Sequence, residues 1–535
     1  MSNTNKTSIP VTIVSSLVSL ALFAMIYIAY LDNDLVTMVL LAIGGVIACP
    51  LLNKIFNAIP VIKQPLLRIA LALACFGILY LPILNGSSIE IGEGQRSTTL
   101  QDNPHPLQLG YYNSPWPGED GGNRRLQSSY DSKGADMSGM NVGEGVEIKT
   151  TERSLGLTGS MGVLRDPGQV YLHTTAFLRS KLGLPAYANV ELIDPVTLKT
   201  IKKSVALKGG ATWPGGMAIH RNGDIYTVFG NWIHRLDPDL NLIKSYRLPS
   251  DLPYNSFIIL DNGYLVTKPI SEEDGTLLTV LDPLTLEPLM DHIPMHEPSI
   301  ARLSAKGNTL YVVGTRSIFR YHWDDQQNKP ILDKNWIFDY IGDTNKTYGW
   351  DPVIGPENAW FLDNGHHNFF ENNLSLVGAG LGKGQVTLVR VSLTDATDTS
   401  IAPISGLPYG TVSNTAVYAP DRHIAIGYDA GNKVMTAFKF SPKDSQLTQI
   451  WKKEDFGVGG HMIYYPTTGE LVTNDYDNKG GSDKGIILNI ETGEEKARIE
   501  GITNFVQYVL FPFTGWGRDY YNLNFDKIVR VYIEE

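Results

Sequence analysis

From residue 160 to the C-terminus one strand-turn-strand pattern recurs at about 40 to 50 residues, the spacing at which propeller blades repeat. A single hairpin of this kind cannot bury both faces, so copies must stack. The pattern reads MGVLRDPGQVYLHT from Met161, MAIHRNGDIYTVFG from Met217, FIILDNGYLVTK from Phe257 and IARLSAKGNTLYVVG from Ile300. It continues as PVIGPENAWFLDNG from Pro352, AVYAPDRHIAIGYD from Ala416, MIYYPTTGELVTND from Met462 and FVQYVLFPFTGWGRDYYNLN from Phe505, eight copies in all. Turns such as Asn222-Gly223-Asp224 and Asp261-Asn262-Gly263 join the two strands, a strong short hairpin signal.

A second hairpin follows in many copies: VELIDPVTLKTIKKSVAL from Val190, IHRLDPDLNLIKSYRL from Ile233, LTVLDPLTLEPLMDHI from Leu278 and IILNIETGEEKARIEG from Ile486. Alternating strands around Asp-Pro or Thr-Gly turns give four-stranded antiparallel blades. The last copy lacks an outer strand after Ile533, and VEIKTTER at 146–153 alternates correctly to supply it, which would remove an exposed edge. The expectation is an all-β, eight-bladed propeller over 146–535. Two smaller all-β domains are the alternative, though no linker-like break falls between 160 and 533.

Three apolar runs precede this domain, at about 10–31, 35–52 and 66–84, each of the length a helix needs to cross about 30 Å of hydrocarbon. A cleaved signal peptide would be followed directly by mature sequence, whereas here more runs follow at once. Residues 1–85 are therefore expected to be a membrane anchor of three transmembrane α-helices. Lys6, Lys54, Lys63 and Arg68 lie on one side of these runs, while Asp32, Asp34, Glu90 and Glu93 lie on the other. Because basic residues stay cytoplasmic, the N-terminus is expected inside and the large domain in the periplasm, in a multi-pass inner-membrane protein.

The net charge of −11 argues against a nucleic-acid partner. Both cysteines, Cys49 and Cys75, fall in the apolar runs, so the outer domain has neither disulfides nor thiol chemistry. Residues 86–145 read as a linker and irregular lead-in, rich in Gly, Ser, Asn and Pro. Within it SPWPGEDGGNRR at 114–125 carries Trp116 and two arginines, unexpected in a purely flexible tether, and is expected to pack on the folded domain.

The run SPWPGEDGGNRRLQSSY, followed by VEIKTTERSLGLTGSMGVLRDPGQVYLHT, resembles the opening of the quinoprotein alcohol dehydrogenase-like propeller superfamily. That resemblance implies an eight-bladed ring. It also implies one of two roles: an oxidoreductase using pyrroloquinoline quinone with calcium, or a non-catalytic periplasmic scaffold. The sequence departs from the enzyme pattern: it has no adjacent cysteine pair, and of the repeated docking tryptophans only Trp451 sits where one belongs. No cofactor residue is carried over. A second similarity, Phe361 to His367 (FLDNGHH), is to the periplasmic arylsulfotransferases, which use a channel histidine as nucleophile.

In a propeller the segment leading into each innermost strand faces the central channel, where residues from different blades converge. Those positions are Met161, Trp213 to Met217, Ser256, His296 to Ser299, Trp350 and Asp351, Asn414, His461 and Asn504. His461 follows Gly459-Gly460, which lets backbone approach a ligand while the imidazole acts as base, nucleophile or metal ligand. A histidine bonded to a neighbouring blade is the competing reading. Asp351 could be a general base or a cation ligand, or simply cap a strand before Pro352.

His461 and Asp351 are thus the catalytic candidates. Trp213, His296, Glu297, Trp350, His366, His367, Asn414 and Asn504 are the ligand-binding candidates. His366 and His367 share a metal only if they sit on a loop, where Asn364-Gly365 places them, and the metal is left unknown. Asn474 to Asp483 spaces oxygen donors as calcium loops do but lacks the closing Glu, so a solvated polar loop is the better reading. GAGLGKG at 378–384 lacks the Lys-Ser/Thr ending of a phosphate loop. The expected function is binding of a small molecule or periplasmic protein at the channel face. The alternatives are a quinoprotein-like oxidoreductase and a His-dependent, arylsulfotransferase-like transferase.

Overall fold

The computed structural model describes residues 9–31, 35–56, 64–78, 102–129 and 139–534, apart from 177–178, 180–185, 210–214, 343, 345, 367–376, 413, 478–481 and 504–510. The eight repeats form eight antiparallel sheets, one per blade. Blade 2 is typical, with strands Gly216–Ile219, Ile225–Phe229, Trp232–Leu236 and Leu242–Arg247 ordered from channel to rim. Its first turn is closed by Asn222, whose Oδ1 accepts the Asp224 N–H at 2.9 Å, with Gly223 at φ 85°. That φ is one only glycine adopts freely.

The Asp-Pro turns explain a second repeated choice. Asp194 Oδ1 accepts from Val196 N at 3.0 Å and Thr197 N at 2.7 Å, and Asp282 holds Leu284 N and Thr285 N at 2.8 and 2.9 Å. A leucine near the end of each such turn is left-handed: Leu198, Leu240 and Leu286 have φ of 60°, 63° and 57°. Such a backbone costs about 1 to 2 kcal/mol, and burying the leucine returns a similar amount. All three leucines are buried.

These turns also dock neighbouring blades. Tyr171, Tyr226 and Tyr521 donate their hydroxyls to the carbonyls of Pro238, Pro283 and Pro195 at 2.8, 2.6 and 2.9 Å, each on the Asp-Pro turn of the next blade. Two tryptophans do the same work elsewhere. Trp451 Nε1 donates to Ile490 O and Trp336 Nε1 to Ser392 O, both at 2.8 Å. Trp336 does not stand out in sequence as a docking residue because it lies near the end of an irregular outer strand, Lys329–Asp339.

The ring closes as the alternation predicts. Blade 8 consists of Phe513–Thr514, Asp519–Leu523 and Lys527–Ile533, and its outermost strand is Ile148–Ser154, paired from Ile148↔Ile533 to Ser154↔Lys527. The termini of the propeller therefore share one sheet.

The N-terminal region is helical: α1 (Ile9–Leu31), α2 (Leu35–Ala48), a short α3 (Asn53–Phe56) and α4 (Pro65–Ile78). The expectation of three transmembrane helices is not supported here, because among the described residues no helix is long and apolar enough to cross a membrane. Helix α1 has 23 residues, but α2 has 14, a rise of about 21 Å against the roughly 30 Å required, and α4 is described over Pro65–Ile78. The 35–52 run is interrupted at Pro50, where Pro50–Leu52 forms a 3₁₀ turn. Residues 79–84 of the third run lie outside the described residues.

Candidate functional site

The lower mouth of the channel, where the innermost strands end, is closed by the chain's own residues 102–129. Successive blades donate backbone N–H groups to this plug: Leu164 to Trp116 O, Ile219 to Pro117 O, Ala305 to Asn123 O, Ile354 to Arg124 O and Tyr464 to Gln127 O, at 2.7 to 2.9 Å. The plug answers with side chains. Tyr111 Oη accepts from Ile259 N at 3.2 Å, and Gln127 Nε2 donates to Ala416 O at 2.8 Å. Asp120, Arg125 and Gln127 take φ values of 54°, 52° and 54°, which curl the segment and turn charged side chains up the channel.

Those side chains build a ladder in which carboxylates and guanidiniums alternate, ending on His461. Asp351 Oδ2 meets Arg302 Nη1 at 3.2 Å, and Arg302 Nε meets Glu119 Oε1 at 2.7 Å. Glu119 Oε2 then meets Arg125 Nη2 at 3.1 Å, and Arg125 Nη1 meets Asp120 Oδ2 at 3.0 Å. Asp120 Oδ1 finally meets His461 Nδ1 at 2.7 Å. All six residues are buried. The Asp351 carboxylate also accepts Arg302 N at 2.6 Å, and Arg125 reaches Leu303 O and Ser256 Oγ at 2.9 and 3.1 Å. Phe511 caps the far end, its ring 4.4 Å from that of His461 and 5.1 Å from the Arg302 guanidinium. At the end of the ladder His461 Nε2 is buried and has no hydrogen-bond partner among the described residues.

Burial alone would raise every carboxyl in this row. For Asp120 the pull of His461, Arg125 and Arg302 overcomes burial and brings it down to about 2. Asp351 is also held low against burial, mainly by Arg302 and Arg125. Burial wins at Glu119, which moves up despite both arginines. Lys268, buried above the row and donating to Ser299 O at 2.7 Å, is lowered by burial to about 7.

Of the sequence candidates, His461 and Asp351 come together, as opposite ends of one ladder. Asn414 supports this region by donating to Gly459 O at 2.8 Å. Trp350 is buried edge-on against Tyr348. Glu297 accepts from Arg316 N and Ser317 N at 2.8 and 2.9 Å, closing a turn of blade 4, and His296 packs on Phe319; neither touches the ladder. His366 lies beside Gly384, just past the second strand of blade 5, and does not touch the ladder. Trp213, His367 and Asn504 lie outside the described residues. Among the described residues no group of three or more His, Cys, Asp or Glu is placed to hold a metal.

Glu119, Asp120, Arg125, Arg302 and Phe511 are not among the residues singled out from sequence. The available signal was the density of charge in GEDGGNRR, more than a tether needs. The expectation of a solvated loop at Asn474 to Asp483 is corrected at its ends only: both end residues are fully buried on strands of blade 7, residues 475–477 are half-buried, and 478–481 lie outside the described residues. Burial raises the Asp483 carboxyl to about 8. On the plug side a cavity of about 40 Å³ is lined by His105, Gln108, Asp120, Asn123, Arg125 and Ser128 among others. That is room for a few waters.

No protein-family model matches the chain, and no curated protein matches it. Among solved structures it is similar to BamB from Moraxella catarrhalis, at 13% identity and a TM-score of 0.42, over 65% of this chain and 94% of that one. A catalytically inactive virginiamycin B lyase from Staphylococcus aureus with quinupristin gives 11% identity and a TM-score of 0.39, over 72% and 100%. Apo AztD from Citrobacter koseri gives 13% and 0.38, over 66% and 85%.

Proposed function

We propose that this protein is a membrane-anchored periplasmic propeller that binds a small ligand or partner protein at the upper mouth of its channel, opposite the plug. The observation that carries the reading is the buried ladder. The plug closes the lower mouth, and His461 Nε2, beside Phe511 at the end of the ladder, is left buried without a hydrogen-bond partner among the described residues. Buried polar groups are otherwise paired, so an unpaired one at the end of a channel suits a ligand.

Two features support the anchor. The helices are inside out for a water-soluble bundle: Leu17 and Leu66 are 62% and 68% exposed while Ser15 and Ser19 are buried, Ser19 bonding to Gly45 O at 2.8 Å. Arg179, on the upper connection of blade 1, donates to Thr37 Oγ1 near the start of α2 at 2.7 Å. This sets the start of α2 beside the propeller, the end of the helix that the charge bias calls non-cytoplasmic. A second reading, histidine-dependent group transfer, draws on the Asp120–His461 pair, since a carboxylate on Nδ1 leaves Nε2 to act as base or nucleophile.

Single cysteines test the proposal. With Cys49 and Cys75 replaced by Ala, Tyr409→Cys on the upper face and Leu107→Cys on the plug are exposed to a membrane-impermeant maleimide. Both should react on intact cells. Position 409 should react more slowly there than in purified protein, because its face is covered, while 107 reacts alike in both. Reaction only after cell lysis, or identical behaviour of both positions, overturns the reading.

A further inference from the structure

The motif that the channel leaves unused is the buried pair Asn474 and Asp483, together with what faces it from blade 8. We propose that Asp483, Asn522, Asn524 and Asp526 bind a hard divalent cation, calcium, in the seam between blades 7 and 8.

The strands place these groups on facing surfaces. On the second strand of blade 8, Tyr521 faces blade 1 through its bond to Pro195 O, so by alternation Tyr520 and Asn522 face blade 7, and Asn524 follows in the turn just past the strand. The contact is close: a Cβ added to Gly485 of blade 7 would lie 3.1 Å from Tyr520 Oη and 3.2 Å from Asn522 Nδ2. Asp483, two residues before Gly485, shares that face. Its register partner across the blade, Thr503, donates to Asp526 Oδ1 at 2.6 Å, which brings the second carboxylate to the same seam.

The donors are poorly used by the protein itself. Asp483 accepts from Asn474 Nδ2 at 3.0 and 3.1 Å and from Lys484 N at 2.9 Å, and among the described residues no basic side chain pairs with it. Both side-chain atoms of Asn522 and of Asn524 are buried without a hydrogen-bond partner among the described residues. Buried amides are nearly always satisfied, so two adjacent unsatisfied ones beside a carboxylate that no cation neutralises call for a bound group. All the converging atoms suited to a cation are oxygens, which selects a hard ion over zinc or copper. Neutral amide oxygens and an irregular donor set favour calcium, which accepts six to eight flexible ligands, over magnesium. The site also bears on the channel. Asn474 Oδ1 accepts Gly459 N and Gly460 N at 3.2 Å each, so a cation held by Asp483 would stiffen the backbone that presents His461.

The inference does not depend on the proposed binding function. The test uses full-length protein in detergent, stripped with a chelator and titrated with calcium chloride by calorimetry and thermal unfolding. The expected result is one calcium per chain, a calcium-dependent rise in Tm, and a weaker response to magnesium. Asp483→Asn, nearly isosteric, should keep the calcium-free Tm and lose more than about tenfold in calcium affinity. Absence of both heat and Tm shift in the wild-type chain overturns the site, whether or not the variant folds. An unchanged calcium response in Asp483→Asn overturns it equally.

Discussion

Arg125→Met is expected to destabilise the propeller by about 3 to 5 kcal/mol, the usual cost of removing one partner from a buried ion pair. Arg125 is buried and makes four side-chain contacts, to Glu119, Asp120, Ser256 and Leu303 O, so its loss leaves two buried carboxylates without their shared cation. The methionine fills similar volume, which keeps a cavity contribution out of the comparison. Arg247→Ala, at an exposed pair with Asp251, is the control and should change stability by no more than about 1 kcal/mol. Equilibrium unfolding in urea reads both. A loss of less than about 1 kcal/mol for Arg125→Met would mean that the ladder is not a connected, desolvated network.

The second large effect is acid lability. Burial lowers His173 to about 3, and His220 and His234 to about 4, from an ordinary value of 6.5. Between these values the unfolded chain binds protons that the folded one refuses, so stability is fully present above pH 6.5 and falls as the pH drops toward 4. Each tenfold weakening of proton binding is worth about 1.4 kcal/mol, so the three histidines together account for several kcal/mol by pH 4. His173, which has no hydrogen-bond partner at either nitrogen among the described residues, is the cleanest case. His173→Phe, beside Phe229, should flatten the acid limb between pH 6 and pH 4 while leaving stability at pH 7.5 nearly unchanged. An unaltered acid limb would show that another group controls it.

The ring was legible because its causes are local. A turn residue such as Asn222 or Gly223, and the alternation of Ile148 to Ser154, act over a few positions and repeat blade after blade. The site was legible only in part. Geometry of the repeat puts His461 and Asp351 in the channel, but their partners Asp120 and Arg302 lie 341 and 49 residues away in sequence. Nothing local to either residue announces the partner. Asp351 thus reads as a general base in sequence, whereas in the fold it is the anchor of Arg302. The same holds for Asn474 and Asp483, whose burial depends on a facing blade. The helices differ from expectation for another reason: hydropathy reads the length of an apolar run but not the break at Pro50.

Hydrogen exchange of the intact protein is the most direct measurement of whether the chain plugs its own channel. The amides of Leu164, Ile219, Ala305, Ile354 and Tyr464, which donate to the plug, should be protected as strongly as blade-interior amides such as those of Ile225 to Phe229. Gln127 N, which donates to Asp120 O within the plug, should share that protection. Exchange of these six amides at the rate of an open linker, while the blades stay protected, would contradict the plug and with it the ladder that leads to His461.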